Sequence, residues 1–179
     1  MVDYPPDRMT GPRLMLRPPA LDDAGALFQR VARDPEVTKY LLWAPHRDVA
    51  ATRRVITEKL NISGEERTWA ITLKHSGEVV GLTSCRRAAP HSVEIGYCLG
   101  RRWWGKGYMS EVLDLLLAAL EADRQVYRVW ATCSPDNERS ARSLERAGFA
   151  LEGRLARHAV YPTIGPEPQD ALLYAKILR

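Results

Sequence analysis

The chain holds little from which a metal centre or a disulfide framework could be built. Its three cysteines, Cys85, Cys98 and Cys133, lie in strand-like text with neither paired nor metal-ligand spacing. They read as reduced, half-buried thiols of a cytoplasmic protein. Its four histidines, His46, His75, His91 and His158, show no metal spacing either, so no metal is expected. No apolar run approaches bilayer length, and no membrane association is expected. Prolines and charges interrupt the first twenty residues, which excludes the apolar core of a secretory leader. Internal repeats, low-complexity tracts and dividing linkers are also missing. The net charge of +4 is mildly basic. It suits a phosphorylated small molecule and gives little support to a nucleic-acid partner.

What is present is a globular composition: 179 residues, 45% hydrophobic and 27% charged. That fits one domain over residues 13–179 behind a short tail, residues 1–12. "RLMLRPP" (13–19) alternates like a strand and is stopped by its prolines. "LDDAGALFQRVARD" reads as a helix with Leu21, Ala24, Leu27, Phe28 and Val31 on one stripe. After "YLLWAPH", "RDVAATRRVITEKLN" is a second helix. "TWAITLK", "EVVGLTSC" and "SVEIGYCLG" are strands, the first two joined across "HSGE" like a hairpin. A helix over about 108–122 carries Met109, Val112, Leu113, Leu116 and Leu120 on its apolar side. "VYRVWATC" is a strand, and "NERSARSLERAG" is a helix that Asn137 caps and Gly148 ends. "FALEGRLARHAV" and "DALLYAKIL" supply the last two strands. This order predicts an α/β (α+β) chain with a mixed sheet.

Between the third of those central strands and the long helix stands "LGRRWWGKGYMSE" (99–111), with three glycines, three cations and two tryptophans. Gly105 and Gly107 open backbone conformations closed to other residues. Several amides then face one concavity, joined by the unpaired first amides and positive dipole end of the helix. Such a nest binds phosphate, with Arg101, Arg102 and Lys106 screening the remaining charge. Gly100, Gly105 and Lys106 also fall in register with a P-loop, but the next residue is Gly107, not the Ser or Thr that would hold magnesium. The other pattern is R-x-x-G-x-G, carried by Arg102, Gly105 and Gly107.

With that pattern the chain resembles the GCN5-related N-acetyltransferase (GNAT) superfamily, and within it the ribosomal-protein alanine acetyltransferase (RimJ/RimL-like) branch. The likeness runs through "RLMLRPP", "EVTKYLLWAPH", "VEIGYCL", "RRWWGKGYMSEVL", "YRVWATCSPDNERSARSLERAGF" and "LEGRLARH", in the family's order and over nearly the whole chain. It implies a single domain whose mostly antiparallel sheet, of about six to seven strands with about four flanking helices, splays in the middle. It implies acetyl-CoA as donor and a primary amine as acceptor, with a homodimer left open. By similarity, backbone amides from Arg102 to Gly107 hold the pyrophosphate, and the strand edge at Tyr97 and Leu99 meets the pantetheine amides. Trp103 and Trp104 line the cofactor or merely pack against a helix. Asn137 contacts the cofactor near its thiol end or braces the splayed strands. Many relatives carry a tyrosine where this chain has Leu144, so the acid that protonates the departing thiolate is absent or is Ser140 or Ser143, of which Ser140 matches the serine of the ribosomal-protein branch. On the acceptor side the resemblance points to "YLLWAPHRD" with Trp43 and to "VYPTIGPEPQD" with Tyr161.

The chemistry itself asks for a base. An amine is mostly protonated at neutral pH, with a pKa of about 8 for an α-amine and about 10.4 for lysine. Glu94 sits inside apolar strand text, on the face opposite Val93, Ile95, Tyr97 and Leu99. It is either that base, as the matching position in relatives suggests, or half of a surface ion pair. A non-catalytic acyl-CoA sensor and, more remotely, a P-loop nucleotide-binding protein are the competing functions.

Overall fold

The computed structural model describes residues 5–179. Alternation in β2 (Leu14–Arg17) buries Leu14 and Leu16 and leaves Met15 and Arg17 half-buried. The same alternation builds β6 (Arg128–Cys133), while β3 (Glu66–Leu73) is buried on both faces from Thr68 onward; β4 (Val79–Ala89), β5 (Ser92–Leu99), β7 (Ala150–Ala159) and β8 (Gln169–Ile177) complete the strands. With β1 (Met9–Thr10) they form one sheet in the order β1-β2-β3-β4-β5-β6-β8-β7. Every neighbouring pair is antiparallel except β5 and β6. The β3–β4 hairpin turns at Gly77, whose φ of +71° suits a residue without Cβ.

The sheet has one strand more than the alternation suggests. Met9 and Thr10 pair with Leu16 and Met15, inside the stretch read as a tail. The Trp69 indole donates to the Pro6 carbonyl at 3.1 Å, which ties that stretch down further. Two residues are too few to show a period, so only long-range pairing reveals this strand. The helices are α1 (Ala24–Leu27), which runs on into a π-helical turn over Phe28–Ala32, then α2 (Pro35–Thr38), α3 (Val49–Glu58), α4 (Tyr108–Ala122) and α5 (Glu138–Arg146). The short α2 also went unread. It is one turn, started by Pro35 and capped by Asp34, whose side chain accepts from the Glu36 amide at 3.0 Å.

α4 buries Val112, Leu113, Leu116, Leu117 and Leu120 against Leu14, Trp69, Ile71, Val93 and Ile95. Each such side chain contributes about 1.5–3 kcal/mol. On the other side of the sheet, Leu27, Val31 and Val37 pack with Ala70 and Val79. The feature that matters for function lies between β5 and β6. Their parallel ladder covers only Ser92–Glu94 against Arg128–Trp130. Beyond it β5 stays with β4 as far as Leu99, and β6 stays with β8 as far as Cys133. The sheet splits there, and among the described residues the two facing strand edges pair with no other strand.

Candidate active site

The loop after β5 is shaped by three glycines. A Cβ on Gly100 would lie 2.7 Å from the Arg30 carbonyl and 2.8 Å from the Trp103 ring, so no side chain fits. Gly105 and Gly107 adopt φ of +72° and +76°, the left-handed region. Gly107 is also the N-cap of α4. The first amide of that helix to reach a carbonyl is Glu111, bonded to Gly107 O at 3.3 Å. Among the described residues, the amides of Gly105, Lys106 and Gly107 donate to no backbone carbonyl. With the first turn of α4 they form a run of free donors at the positive end of a helix.

A brace absent from the sequence reading holds this loop. Glu111 accepts from the amides of Arg13 and Leu14 at 2.8 and 2.9 Å and from the Arg13 Nε at 2.9 Å. Arg13 Nη1 donates to the Lys106 carbonyl at 2.9 Å, and the guanidinium lies 4.5 Å from the Tyr108 ring centre. Burial pushes the Glu111 carboxyl up, but the hydrogen bonds from Arg13 and Leu14 and the Arg13 charge outweigh it and hold the group below its ordinary value. The one available signal was an acid in the first turn of α4; its partner stands 98 residues away.

Of the side chains predicted to meet the cofactor, Trp103 and Trp104 line the cavity beside the loop, and Arg101, Arg102 and Lys106 do not. Arg101 is paired with Asp34 at 3.0 Å, so its charge is already engaged. Arg102 and Lys106 are exposed. Trp103 is buried in the main core. Trp104 is half-buried, carries the Arg139 guanidinium 3.8 Å from its ring centre, and donates its indole N–H to the Leu99 carbonyl at 2.8 Å. That last bond engages one lone pair of the Leu99 carbonyl. Gly100 N bonds to Val80 O and Thr83 Oγ1 to Gly96 O, so even-numbered residues of β5 face β4. The backbone groups of Tyr97 and Leu99 therefore face the split, with the Leu99 carbonyl already accepting from Trp104.

Two cavities meet at the split. One, of about 600 Å³, runs along Tyr97 to Leu99, Gly105, Gly107 to Ser110 and Asn137 to Ser140. The other, of about 720 Å³, lies on the α1–α3 side and includes Trp43, His46, Thr83, Arg86, Glu94 and Gly96. Leu41, Tyr97 and Cys98 line both.

At the junction the Tyr97 hydroxyl lies 2.9 Å from Ser140 Oγ. Burial raises the Tyr97 phenol above its ordinary value. The Ser140 amide donates to Asn137 Oδ1 at 3.3 Å, so Asn137 caps α5 as its position suggests. Leu144 is fully buried in the core. Burial pushes the Cys133 thiol up to about 11 and the Cys98 thiol to about 12, which keeps both protonated and poor nucleophiles. Glu94 is half-buried on the second cavity and ion-paired with Arg86, its neighbour across the β4–β5 ladder.

Of the acceptor-side residues, Trp43 lines the second cavity, its ring centre 5.2 Å from that of His46. Tyr161 lines neither cavity. It is buried edge-on against Tyr40, with centroids 6.3 Å apart. Its proline-rich loop docks on α2 instead, where Thr163 Oγ1 lies 3.1 Å from Thr38 Oγ1. His46, given no role from the sequence, holds Nδ1 2.8 Å from Thr52 Oγ1, and burial lowers its pKa from the ordinary value.

A split sheet with a glycine-shaped run of free amides at its mouth defines the site, and comparison with known proteins defines the class: an acetyltransferase domain. Residues 13–150 match the acetyltransferase (GNAT) domain family, and the chain belongs to that family. It is 35% identical over 147 residues to an uncharacterized N-acetyltransferase, p20, of Bacillus licheniformis, covering 80% of this chain and 82% of the relative. It is 27% identical over 161 residues to the [ribosomal protein uS5]-alanine N-acetyltransferase of Escherichia coli, covering 84% and 82%. Among solved structures it resembles Mycobacterium smegmatis RimJ in complex with CoA-disulfide, with a TM-score of 0.80, 26% identity, and coverage of 92% and 81%.

Proposed function

We propose that this protein transfers the acetyl group of acetyl-CoA to a primary amine while both are bound. The observation that carries this reading is the meeting of two cavities at Tyr97 and Cys98, one of them bearing the free amides of the glycine loop. The residues present fit the donor. Of the amides from Arg102 to Gly107, those of Trp103 and Trp104 are bonded to the Gly100 and Arg101 carbonyls, which leaves Gly105, Lys106 and Gly107 to face its pyrophosphate, and the open β5 edge at Tyr97 faces its pantetheine amides. The donor supplies an activated thioester, whose C–S bond breaks as the C–N bond forms. Glu94 receives the amine's proton, directly or through water, once the amine displaces Arg86 from it. Ser140, held by Tyr97, gives a proton to the leaving sulfur and regains one from solvent; a thiolate near pKa 8.5 needs little help. The acceptor enters from the second cavity, past Trp43. The cysteines are free thiols, which suits a cytoplasmic site of action.

The test is release of free CoA from acetyl-CoA in the presence of amine mixtures, including peptide N-termini, since the Escherichia coli relative is named for an alanine of a ribosomal protein. Amine-dependent release supports transfer. One observation favours the sensor reading: Arg86 already compensates Glu94. Tight acetyl-CoA binding without release for any amine would establish that alternative.

A further inference from the structure

The composition of the second cavity narrows the acceptor class, and the argument rests on the transfer chemistry proposed above. One wall of the cavity is apolar, formed by Leu27, Val31, Trp43, Val55, Ile56 and Leu60. Its charged side chains are Lys59, Glu66, Arg86 and Glu94, two cations and two anions that sum to zero. Arg86 and Glu94 are moreover paired with each other. His46 stands against Trp43 as a largely neutral ring at pH 7, fixed by Thr52 through Nδ1 and by its own amide to the Ala32 carbonyl at 2.8 Å. The volume, about 720 Å³, falls within the range of roughly 300–1,000 Å³ typical of cavities that enclose a whole small ligand.

These features exclude two kinds of acceptor. A polyamine would bring further ammonium groups against an apolar wall and a charge set with no net attraction, at the cost of their hydration. An alanine or serine terminus would place its amine at the split and leave the wall of Leu27, Val55 and Ile56 uncovered. We infer that the acceptor is a primary amine carried next to a bulky, uncharged apolar body. The α-amine of a peptide with a large apolar first residue has this chemistry, and so has a free arylalkyl or branched alkyl amine. The amine lies between Glu94 and Cys98, and the body lies along Trp43 and α3.

The experiment compares kcat/KM, by CoA release, for peptides identical except for Ala, Ser, Leu or Phe at the first position, together with 2-phenylethylamine and spermidine. Leu and Phe peptides should exceed Ala and Ser peptides by tenfold or more, since each methylene in an apolar pocket discriminates by roughly 10–200-fold. Spermidine should rank last. The 2-phenylethylamine arm separates the two sources: turnover equal to the Phe peptide makes the free amine sufficient, and weaker turnover assigns the chain beyond the first residue a share. Two variants locate the body. Ile56→Trp fills the wall, and Leu42→Asp charges an exposed position of the same cavity; each should lower the Phe-to-Ala ratio about tenfold. Highest turnover with Ala, Ser or spermidine, or an unchanged ratio in both variants, overturns the inference and leaves acetyl transfer standing. No turnover with any amine, while acetyl-CoA binds, overturns the transfer reading and this inference together.

Discussion

Two left-handed glycines turn the segment after β5 into a donor loop, and their tolerance to change follows from backbone energy more than from space. A Cβ on Gly105 meets nothing within 4 Å, and one on Gly107 would make ordinary contact with Arg13 at 3.5 Å. The penalty is conformational, about 1–2 kcal/mol for a residue with a Cβ in that region. A valine there drags the loop out of register with its ligand. Gly105→Val and Gly107→Val should each weaken acetyl-CoA binding at least tenfold, about 1.4 kcal/mol, while circular dichroism stays native. Unchanged calorimetric affinity in both variants would remove the loop from the cofactor site. Glu94 poses a different question, because its partner Arg86 offers an ion-pair explanation for it. A half-exposed pair of this kind is worth about 0–1 kcal/mol and serves no chemistry. If Glu94 is the base, Glu94→Gln lowers kcat by roughly 10²–10⁴-fold with little change in acetyl-CoA affinity, and Arg86→Gln does not. Matching, small effects of both changes on kcat at pH 7 would leave the ion pair as the whole account.

Between elements, the decisive tie is that of β2 to the start of α4 through Arg13 and Glu111. Its pH dependence has a definite sign. The Glu111 carboxyl is held below its ordinary value in the folded protein, so folding favours the charged form. That stability is fully present above the unfolded carboxyl pKa of about 4.3 and is lost as pH falls through the lowered folded value. Urea unfolding should show Glu111→Gln about 1–3 kcal/mol less stable at pH 7, with the gap closing as the wild type is acidified below pH 4. A pH-independent gap would mean that the shape of the side chain matters and its charge does not. This brace also marks where sequence reading stops. α4 was legible to its ends, since Met109 to Leu120 repeat at helical spacing and Gly107 stands before them. The loop was legible because glycine and cation spacing is local. Arg13 and Glu111 meet only through tertiary folding, as do Trp104 and the Leu99 carbonyl, and no local pattern encodes either. Tyr161 was ambiguous for the same reason: an aromatic in a proline-rich loop suits a binding wall and a packing contact equally well, and in the fold it packs edge-on against Tyr40.

Across the whole molecule, two cavities meet at the split sheet; on the proposed reading one takes the donor and the other the acceptor, so changes on one side should leave the other unmoved. Trp43→Ala should raise KM for the amine about tenfold, about 1.4 kcal/mol, with acetyl-CoA affinity constant. Shortening the 162–168 loop, which packs on α2 rather than on a cavity, should cost stability and leave that KM alone. The split also predicts where a ligand becomes visible. β5 and β6 each keep one paired edge and expose the other beyond Glu94. On the proposed reading, acetyl-CoA lodged between them would take up the backbone groups along the split. Hydrogen exchange should therefore slow at Tyr97, Leu99 and residues 105–110 and stay unchanged in β7, at the far edge of the sheet. At 100 times its dissociation constant the ligand should add about 2.7 kcal/mol to global stability. Mg-ATP should do neither, because the residue after Lys106 is Gly107 and brings no hydroxyl for the metal. Protection by Mg-ATP equal to that by acetyl-CoA would reverse the choice between the two anion-binding patterns this loop contains.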